Sequence, residues 1–402
     1  MNAEHPVLRQ NIKKLYVVTA LSSFGFSVPI LFLFQQSLGL TLEEAFTIQA
    51  MYAAALVIFE VPSGYLSDRW GRKFTIIAGS ASLFLGMIIY SLSTTFWAFT
   101  AAEIFLALGM SLHSGTIEAL MYDTLLELRE ADQYRRIIGV LGFVSLASRS
   151  IIALLVGLIA VLNLRAPLWA DVILFGSGLL LSLLLTEPHR HKLQGQEPLA
   201  AIWKICTHTL VHNVLLRSLI LLYTVVAAIN LMLFWFLQPY QNMVQLPLPY
   251  FGLVNALIFI GSALAAKYTY TVKHWISDRT FLFILSLIAV GSCVVLGFTA
   301  TLWGITLFFV GETAFSAFET LTGDLINKAT TSDMRATVLS LRSFTSRLFF
   351  AILSPILGYF ADIYTLNQAL LITGIIGLLA LGLTFLLMLP TWRHLAHRRR
   401  HA

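Results

Sequence analysis

Long apolar runs separated by short polar stretches dominate the chain. Twelve of these runs have about 20 residues, the length at which a helix crosses about 30 Å of hydrocarbon. They lack the alternation of polar and apolar positions that marks the strands of a membrane barrel. The pattern therefore predicts an all-α integral membrane protein with twelve transmembrane helices, numbered here as spans 1 to 12, at 15–37, 44–66, 73–93, 98–122, 138–161, 167–186, 215–238, 250–271, 280–299, 301–325, 340–362 and 366–389.

The longest interruption divides six spans from six. Apolar residues recur in it at helical spacing, which predicts a short amphipathic helix in the membrane interface; they are Leu199, Ile202, Trp203, Cys206 and Leu210. We expect a six-helix bundle over 1–186, a cytoplasmic linker over 187–214 and a second six-helix bundle over 215–402.

The two halves also repeat each other. Three acids near the end of span 4 recur near the end of span 10 at one offset of 201 residues: Glu118, Asp123 and Asp132 correspond to Glu319, Asp324 and Asp333. Acids are scarce around membrane spans, so this match indicates a duplication. Parallel six-helix halves are one of the known architectures of transporters, with the substrate site between the halves near the midplane.

Composition and charge agree with a membrane protein. Hydrophobic residues make up 58% of the chain, charged residues only 11%, and mean hydropathy is +0.81, which excludes a soluble enzyme or a disordered regulator. Basic residues concentrate at both termini and in the loops after even-numbered spans, whereas the opposite loops hold Arg165 alone. The positive-inside rule therefore predicts cytoplasmic N- and C-termini, and the net charge of +6 reflects a rim facing anionic lipid rather than nucleic acid.

No cofactor or metal site is predicted. The two cysteines, Cys206 and Cys293, cannot form a disulfide framework. His208 and His212 share a helical face, but no acid or cysteine nearby completes a metal site. The sequence also lacks a phosphate-binding loop, a nucleophile motif and an extramembrane domain. An enzyme, a receptor or an ATP-driven pump is therefore not expected.

One loop carries a family signature. Residues 64–73, between spans 2 and 3, read Gly-Tyr-Leu-Ser-Asp-Arg-Trp-Gly-Arg-Lys. This resembles the signature loop of the major facilitator superfamily, Gly-x-x-x-Asp-Arg-x-Gly-Arg-Arg/Lys, after the second of twelve spans. The motif, the six-plus-six layout, the length and the repeat together make the resemblance specific.

The resemblance implies a conformational latch formed by Gly64, Asp68, Arg69, Gly71, Arg72 and Lys73. In the family, the aspartate contacts the neighbouring arginine and the positive start of span 11, here near Arg335, and so holds the halves together when the cavity faces outward. The alternative is that the basic cluster only sets the membrane topology.

The resemblance also implies secondary transport by alternating access. Residues 114–123, Ser-Gly-Thr-Ile-Glu-Ala-Leu-Met-Tyr-Asp, are similar to the end of span 4 in bacterial efflux permeases. We therefore expect proton-coupled export of small organic molecules across the inner (plasma) membrane. Span 5 departs from the antiporter signature of the family because 138–161 contain no proline, so uptake of a metabolite or siderophore by symport is the alternative.

Charged residues inside the spans are the candidates for proton coupling, since burying them costs free energy. Glu312 lies near the middle of span 10 with no obvious basic partner, and desolvation favours its protonated form. Two acids lie at a depth that an arginine of the next span can reach, Glu118 with Arg149 and Glu319 with Arg347. Either these are permanent buried ion pairs, or the acids exchange arginine for a proton during transport.

Spans 1, 4, 7 and 10 line the cavity in the family, so their polar and aromatic residues are substrate-site candidates: Ser23, Ser27, His113, Asn230, Trp235 and Phe315. Ordinary helix packing or lipid contact is the alternative for each of them. We expect a monomer whose partners are a small-molecule substrate, protons and membrane lipids.

Overall fold

The computed structural model describes residues 5–23, 25–189, 205–274, 276–331 and 334–400. Helices account for nearly all of this part of the chain, and no strand occurs in it, which confirms the predicted all-α class. Asp333 and three residues of the predicted interfacial helix, Leu199, Ile202 and Trp203, lie outside the described residues. The described end of that segment is helical and finishes in a π-helical turn at His208–His212.

The helices before the linker are α1 (His5–Ser22), α2 (Leu31–Ser37), α3 (Leu42–Trp70), α4 (Arg72–Leu92), α5 (Phe96–His113), α6 (Thr116–Glu127), α7 (Tyr134–Ala160) and α8 (Ala166–Leu183). Short 3₁₀ turns precede α2 at Val28–Ile30 and α7 at Ala131–Gln133. Local sequence signals set several of these bounds. Thr41 and Glu44 form a reciprocal capping box at the start of α3, with nitrogen-to-oxygen distances of 3.0 and 3.1 Å.

After the linker come α9 (Val214–Met243), α10 (Pro249–Lys273), α11 (Asp278–Leu296), α12 (Gly304–Ala329), α13 (Arg335–Ile363) and α14 (Leu366–Arg400). Asn213 caps α9 by accepting from the Leu216 backbone N–H at 3.0 Å, and Ser277 caps α11 in the same way through Thr280 at 3.2 Å.

Ten helical stretches of the described chain are long and apolar enough to cross a membrane. They correspond to predicted spans 2 to 9, 11 and 12. Predicted span 1 differs because it is split into α1 and α2, and predicted span 10 differs because its helix, α12, carries Glu312, Glu319, Asp324 and Lys328. The protein is a multi-pass membrane protein.

The chain divides into two compact units. The first consists of Met1–Leu193 with Leu246–Phe259, and the second of Gln194–Gln245 with Ile260–Ala402. The start of α10 thus packs with the first unit, although the sequence assigns it to the second bundle.

That packing depends on two glycines. A Cβ atom on Gly157 of α7 would lie 2.1 Å from the Pro249 carbonyl oxygen, and one on Gly252 of α10 would lie 1.9 Å from the Ala153 carbonyl oxygen. Only hydrogen fits at these positions, so the two backbones are in direct contact, as small residues permit in membrane helices.

Two predicted spans are broken rather than continuous. Span 4 is interrupted between α5 and α6, where Gly115 adopts the left-handed conformation with φ of 72°. Span 1 is interrupted between Ser22 and Val28. At the second break the backbone N–H groups of Phe26 and Ser27 donate to the two carboxylate oxygens of Asp171 on α8.

Candidate transport site

Glu312 lies in the first half of α12 and faces α9. The Asn230 side-chain amide on α9 donates to Glu312 Oε2 at 3.2 Å. Glu312 Oε1 and Asn230 Oδ1 are both shielded from solvent, and neither has a hydrogen-bond partner among the described residues. Among the described residues, the Glu312 carboxyl group therefore has one amide donor and no basic partner. The sequence likewise showed no obvious basic partner for it.

A second cluster of polar and aromatic side chains lies in the same unit, on three helices. Tyr223 of α9 donates its hydroxyl to Glu319 Oε1 of α12 at 2.8 Å. The guanidinium of Arg342, on α13, lies over the Tyr223 ring at 4.1 Å from its centroid. Phe315 and Phe318 pack beside Tyr223, each with a ring-centroid distance of 6.3 Å. This arrangement combines an acid, a guanidinium and an aromatic surface.

The structure gives Glu319 a basic neighbour that the sequence analysis did not name. Glu319 Oε1 lies 3.7 Å from Arg342 Nη2. The predicted partner, Arg347, lies little more than one helical turn away on α13, so depth in the span alone could not single out Arg342.

The structure shows no ion pair between Arg149 and Glu118 among the described residues. Glu118 is exposed in the first turn of α6, and Arg149 is half-buried on α7 with its Nε shielded and without a hydrogen-bond partner in that part of the chain. Gly115 breaks span 4 just before Glu118, so the helical register of a continuous span 4 does not extend to Glu118.

The predicted cavity residues have different environments. His113 is buried between α4 and α5, and its Nε2 lies 3.1 Å from both Ser80 Oγ and the Ile76 carbonyl oxygen. Ser23 donates to the Thr19 carbonyl, and Ser27 is buried at the span 1 break beside Asp171. Asn230 and Phe315 contact the two clusters described above, and Trp235 is buried in α9.

The signature loop forms a polar network around Arg72. Arg72 Nη1 contacts Asp68 Oδ1 and Ser67 Oγ, both at 3.1 Å, and Arg72 Nε contacts Asp123 Oδ2 at 3.2 Å. The Asp68 side chain is 71% exposed. Gly71, with φ of 118°, makes the turn between α3 and α4 that a residue with a Cβ atom would strain.

Glu187 completes this network and was not anticipated from the sequence. Its two carboxylate oxygens accept from the first two backbone N–H groups of α4, those of Arg72 at 3.0 Å and Lys73 at 2.6 Å. A carboxylate at this position satisfies unpaired donors and complements the positive end of the helix. Glu187 is the first acidic residue after span 6, but nothing in the neighbouring sequence indicates that it contacts a helix 115 residues earlier.

The second unit contains a counterpart of this ion pair. Lys273 Nζ lies 3.4 Å from Asp324 Oδ2, and both residues lie 201 positions after the Arg72 and Asp123 pair. Asp324 also accepts from Lys328 at 2.7 Å, and this hydrogen bond raises the pKa of Lys328. The repeat that the acids indicated in the sequence is therefore present in the contacts.

Two buried acids in the first unit were missed. Glu103 on α5 accepts from the Gln49 side chain at 3.0 Å, and Asp171 on α8 holds the break in span 1. Both lie within predicted spans, at 98–122 and 167–186. The criterion that identified Glu312, an ionisable residue inside a span, applies equally to these two residues.

Comparison with known proteins supports the fold and the family. The family model for the Major Facilitator Superfamily matches residues 15–349. The inner membrane transport protein YajR of Escherichia coli K12 is 26% identical over 339 residues, which is 81% of this chain and 70% of YajR. An uncharacterized MFS-type transporter of Methanocaldococcus jannaschii, MJ1560, is 30% identical over 100 residues, and this match spans 24% of this chain and only 26% of that relative.

Solved transporter structures share the fold at low sequence identity. A variant of the nucleoside transporter NupG matches with a TM-score of 0.78 at 14% identity, over 94% of this chain and 99% of that one. A D-xylose-proton symporter matches with a TM-score of 0.69 at 14% identity, over 94% and 96% of the two chains. With the signature loop and the matched family model, these likenesses establish that the chain belongs to the Major Facilitator Superfamily.

Proposed function

We propose that this protein exports small amphipathic or aromatic organic molecules in exchange for protons, by alternating access across the inner membrane. Glu312 is the observation that carries the proposal. It is a carboxyl group inside a span, with one amide donor and a shielded oxygen that has no partner among the described residues. Desolvation favours the protonated form of such a group until water or a cation reaches it, which suits a proton carrier.

The position of Glu312 supports the same role. Its amide partner Asn230 belongs to span 7, and Glu312 belongs to span 10; both are cavity-lining spans in the family. Glu103 is also held by one amide, but its partner Gln49 belongs to span 2. Glu312 is therefore the better candidate for a group that meets protons from each side of the membrane in turn.

Asp68 and its loop serve as the latch of the cytoplasmic gate in this proposal. The family resemblance implies a contact of Asp68 with the start of span 11 near Arg335, and the Asp68 side chain is exposed. The termini lie in the cytoplasm and the transporter acts as a monomer. Uptake by symport with protons would use the same protonation of Glu312, so the transport assay distinguishes export from uptake.

The test is a substrate panel in proteoliposomes, with uptake and efflux followed with and without an imposed pH gradient. Proton-coupled export predicts that an acidic lumen drives accumulation of a substrate there in exchange for protons. Accumulation driven by the opposite gradient identifies symport. Transport of every substrate at a rate and extent independent of the gradient contradicts proton coupling.

A further inference from the structure

The cluster of Tyr223, Glu319 and Arg342 has the features of a ligand site. Arg342 is largely buried, with its side chain 12% exposed, and its guanidinium covers the Tyr223 ring at 4.1 Å. Cation-π contact of this kind holds a guanidinium flat and fixes the direction of its N–H groups. The three residues come from α9, α12 and α13 of the second unit, so helix packing fixes their geometry.

The hydrogen-bonding capacity of Arg342 is not filled by the protein. Its Nε and Nη1 are shielded from solvent and have no hydrogen-bond partner in the described chain. Its contact with Glu319 is 3.7 Å long, beyond the roughly 2.7–2.9 Å of a charge-assisted hydrogen bond. Glu319 instead accepts the Tyr223 hydroxyl at 2.8 Å. Leaving such donors unfilled costs free energy, so the site is suited to a ligand that pairs with Arg342.

The charges of the cluster determine which ligand fits. A guanidinium with free donors recognises carboxylate or phosphate groups. Glu319 lies close to Arg342, so it repels a doubly charged phosphate more strongly than a singly charged carboxylate. Phe315 and Phe318 beside Tyr223 offer an apolar surface to the rest of the molecule.

We propose that Arg342 binds the carboxylate of a small aromatic or apolar organic monoanion, which packs against Tyr223 and Phe315. The ligand is the substrate of the transporter, and in this respect the inference rests on the proposed function. The carboxylate pairs with the Arg342 guanidinium and competes with Glu319 for its charge. The Glu319 side chain is 46% exposed, so a ligand can approach the cluster from the side of Glu319.

The test is equilibrium binding to the purified protein in nanodiscs, without any gradient. The probes are radiolabelled benzoate, phenylacetate and indole-3-acetate, with their amides and the corresponding amines as matched controls. We expect wild-type protein to bind at least one carboxylate and to bind its amide and amine at least tenfold more weakly. Equal or tighter binding of the amide or the amine, or no binding of any of the three carboxylates, overturns the proposal.

Variants separate the site from general effects of charge. Arg342→Gln should weaken carboxylate binding at least tenfold, and Arg342→Lys should weaken it as well, because an ammonium lacks the planar fork. Arg217→Gln, on the same unit but hydrogen-bonded to the Leu210 carbonyl, should bind like wild type. Glu319→Gln should tighten binding, since it removes the competing charge. Wild-type affinity in Arg342→Gln, or in Arg342→Lys if the first variant does not fold, contradicts the proposal.

The result of this binding experiment does not depend on whether the proposed proton coupling is correct. Binding without a gradient does not involve proton coupling, so its outcome leaves the role of Glu312 untouched. Loss of gradient dependence in proteoliposomes, with carboxylate binding intact, would remove proton exchange and retain the anion site.

Discussion

At the scale of single residues, Glu187 shows how much one side chain contributes to the signature loop. Its carboxylate caps the first two N–H groups of α4, and Arg72 in that first turn also contacts Asp68 and Asp123. We predict that Glu187→Ala lowers the free energy of unfolding by about 1–2 kcal/mol, the usual cost of losing a helix cap. Glu187→Gln should cost less, because one amide oxygen still accepts.

Thermal unfolding of the purified protein in detergent measures this effect. Glu130→Ala is the matched control, since Glu130 also lies in a connection between spans but pairs with Arg9, whose side chain is 65% exposed. Exposed pairs contribute about 0–1 kcal/mol, so the control should unfold near the wild-type midpoint. Equal midpoints for Glu187→Ala and wild type would show that the cap does not stabilise α4.

At the scale of helices, the apolar runs predicted where spans lie but not where they break. Span length and hydropathy depend on composition, which the sequence displays directly. The break at Gly115 depends on one backbone angle, and the break before Val28 depends on Asp171 of a distant helix. Contacts between helices decide such features, as they also decide that Arg342 lies beside Glu319.

The crossing of α7 and α10 gives a prediction at this scale. Gly157→Ala should destabilise the protein by about 1–3 kcal/mol, because its Cβ atom would meet the Pro249 carbonyl oxygen at 2.1 Å. Gly142→Ala on the same helix is the control, since nothing lies within 4 Å of a Cβ atom there. We expect it to be neutral or slightly stabilising in the same unfolding assay. Equal destabilisation by both substitutions would mean that α7 responds to alanine everywhere and that the close crossing is not needed.

At the scale of the whole molecule, the duplication is visible in the ion pairs Arg72–Asp123 and Lys273–Asp324 but not in the candidate site. Positions 201 residues before Tyr223 and Arg342 are Ser22 and Leu141, which cannot form an equivalent cluster. The repeat therefore accounts for the scaffold, and the second half carries its own chemistry. The spacing of residues in the sequence predicts the duplicated scaffold. The cluster in the second half becomes visible only when the helices are packed.

The latch gives a whole-molecule prediction. If the 64–73 loop acts as the proposed latch, Asp68→Asn should fold normally, because Asp68 is mostly exposed, but should slow transport several-fold because it removes the charge of the latch. Transport rates in proteoliposomes and spin-label distances between the 64–73 loop and the start of α13 test this. Arg72 still contacts Asp123 in the variant, so a purely topological role for the loop predicts wild-type rates and distances.

Proton coupling through Glu312 is the central claim, and one measurement tests it most directly. Accumulation of substrate driven by a pH gradient is compared with counterflow exchange in proteoliposomes containing Glu312→Gln. Glutamine resembles the protonated acid, so the variant should lose gradient-driven accumulation and keep counterflow exchange. Glu103→Gln, which changes a buried acid held by Gln49, should retain both activities. Gradient-driven accumulation by Glu312→Gln at the wild-type rate would contradict the account and place the coupling group elsewhere.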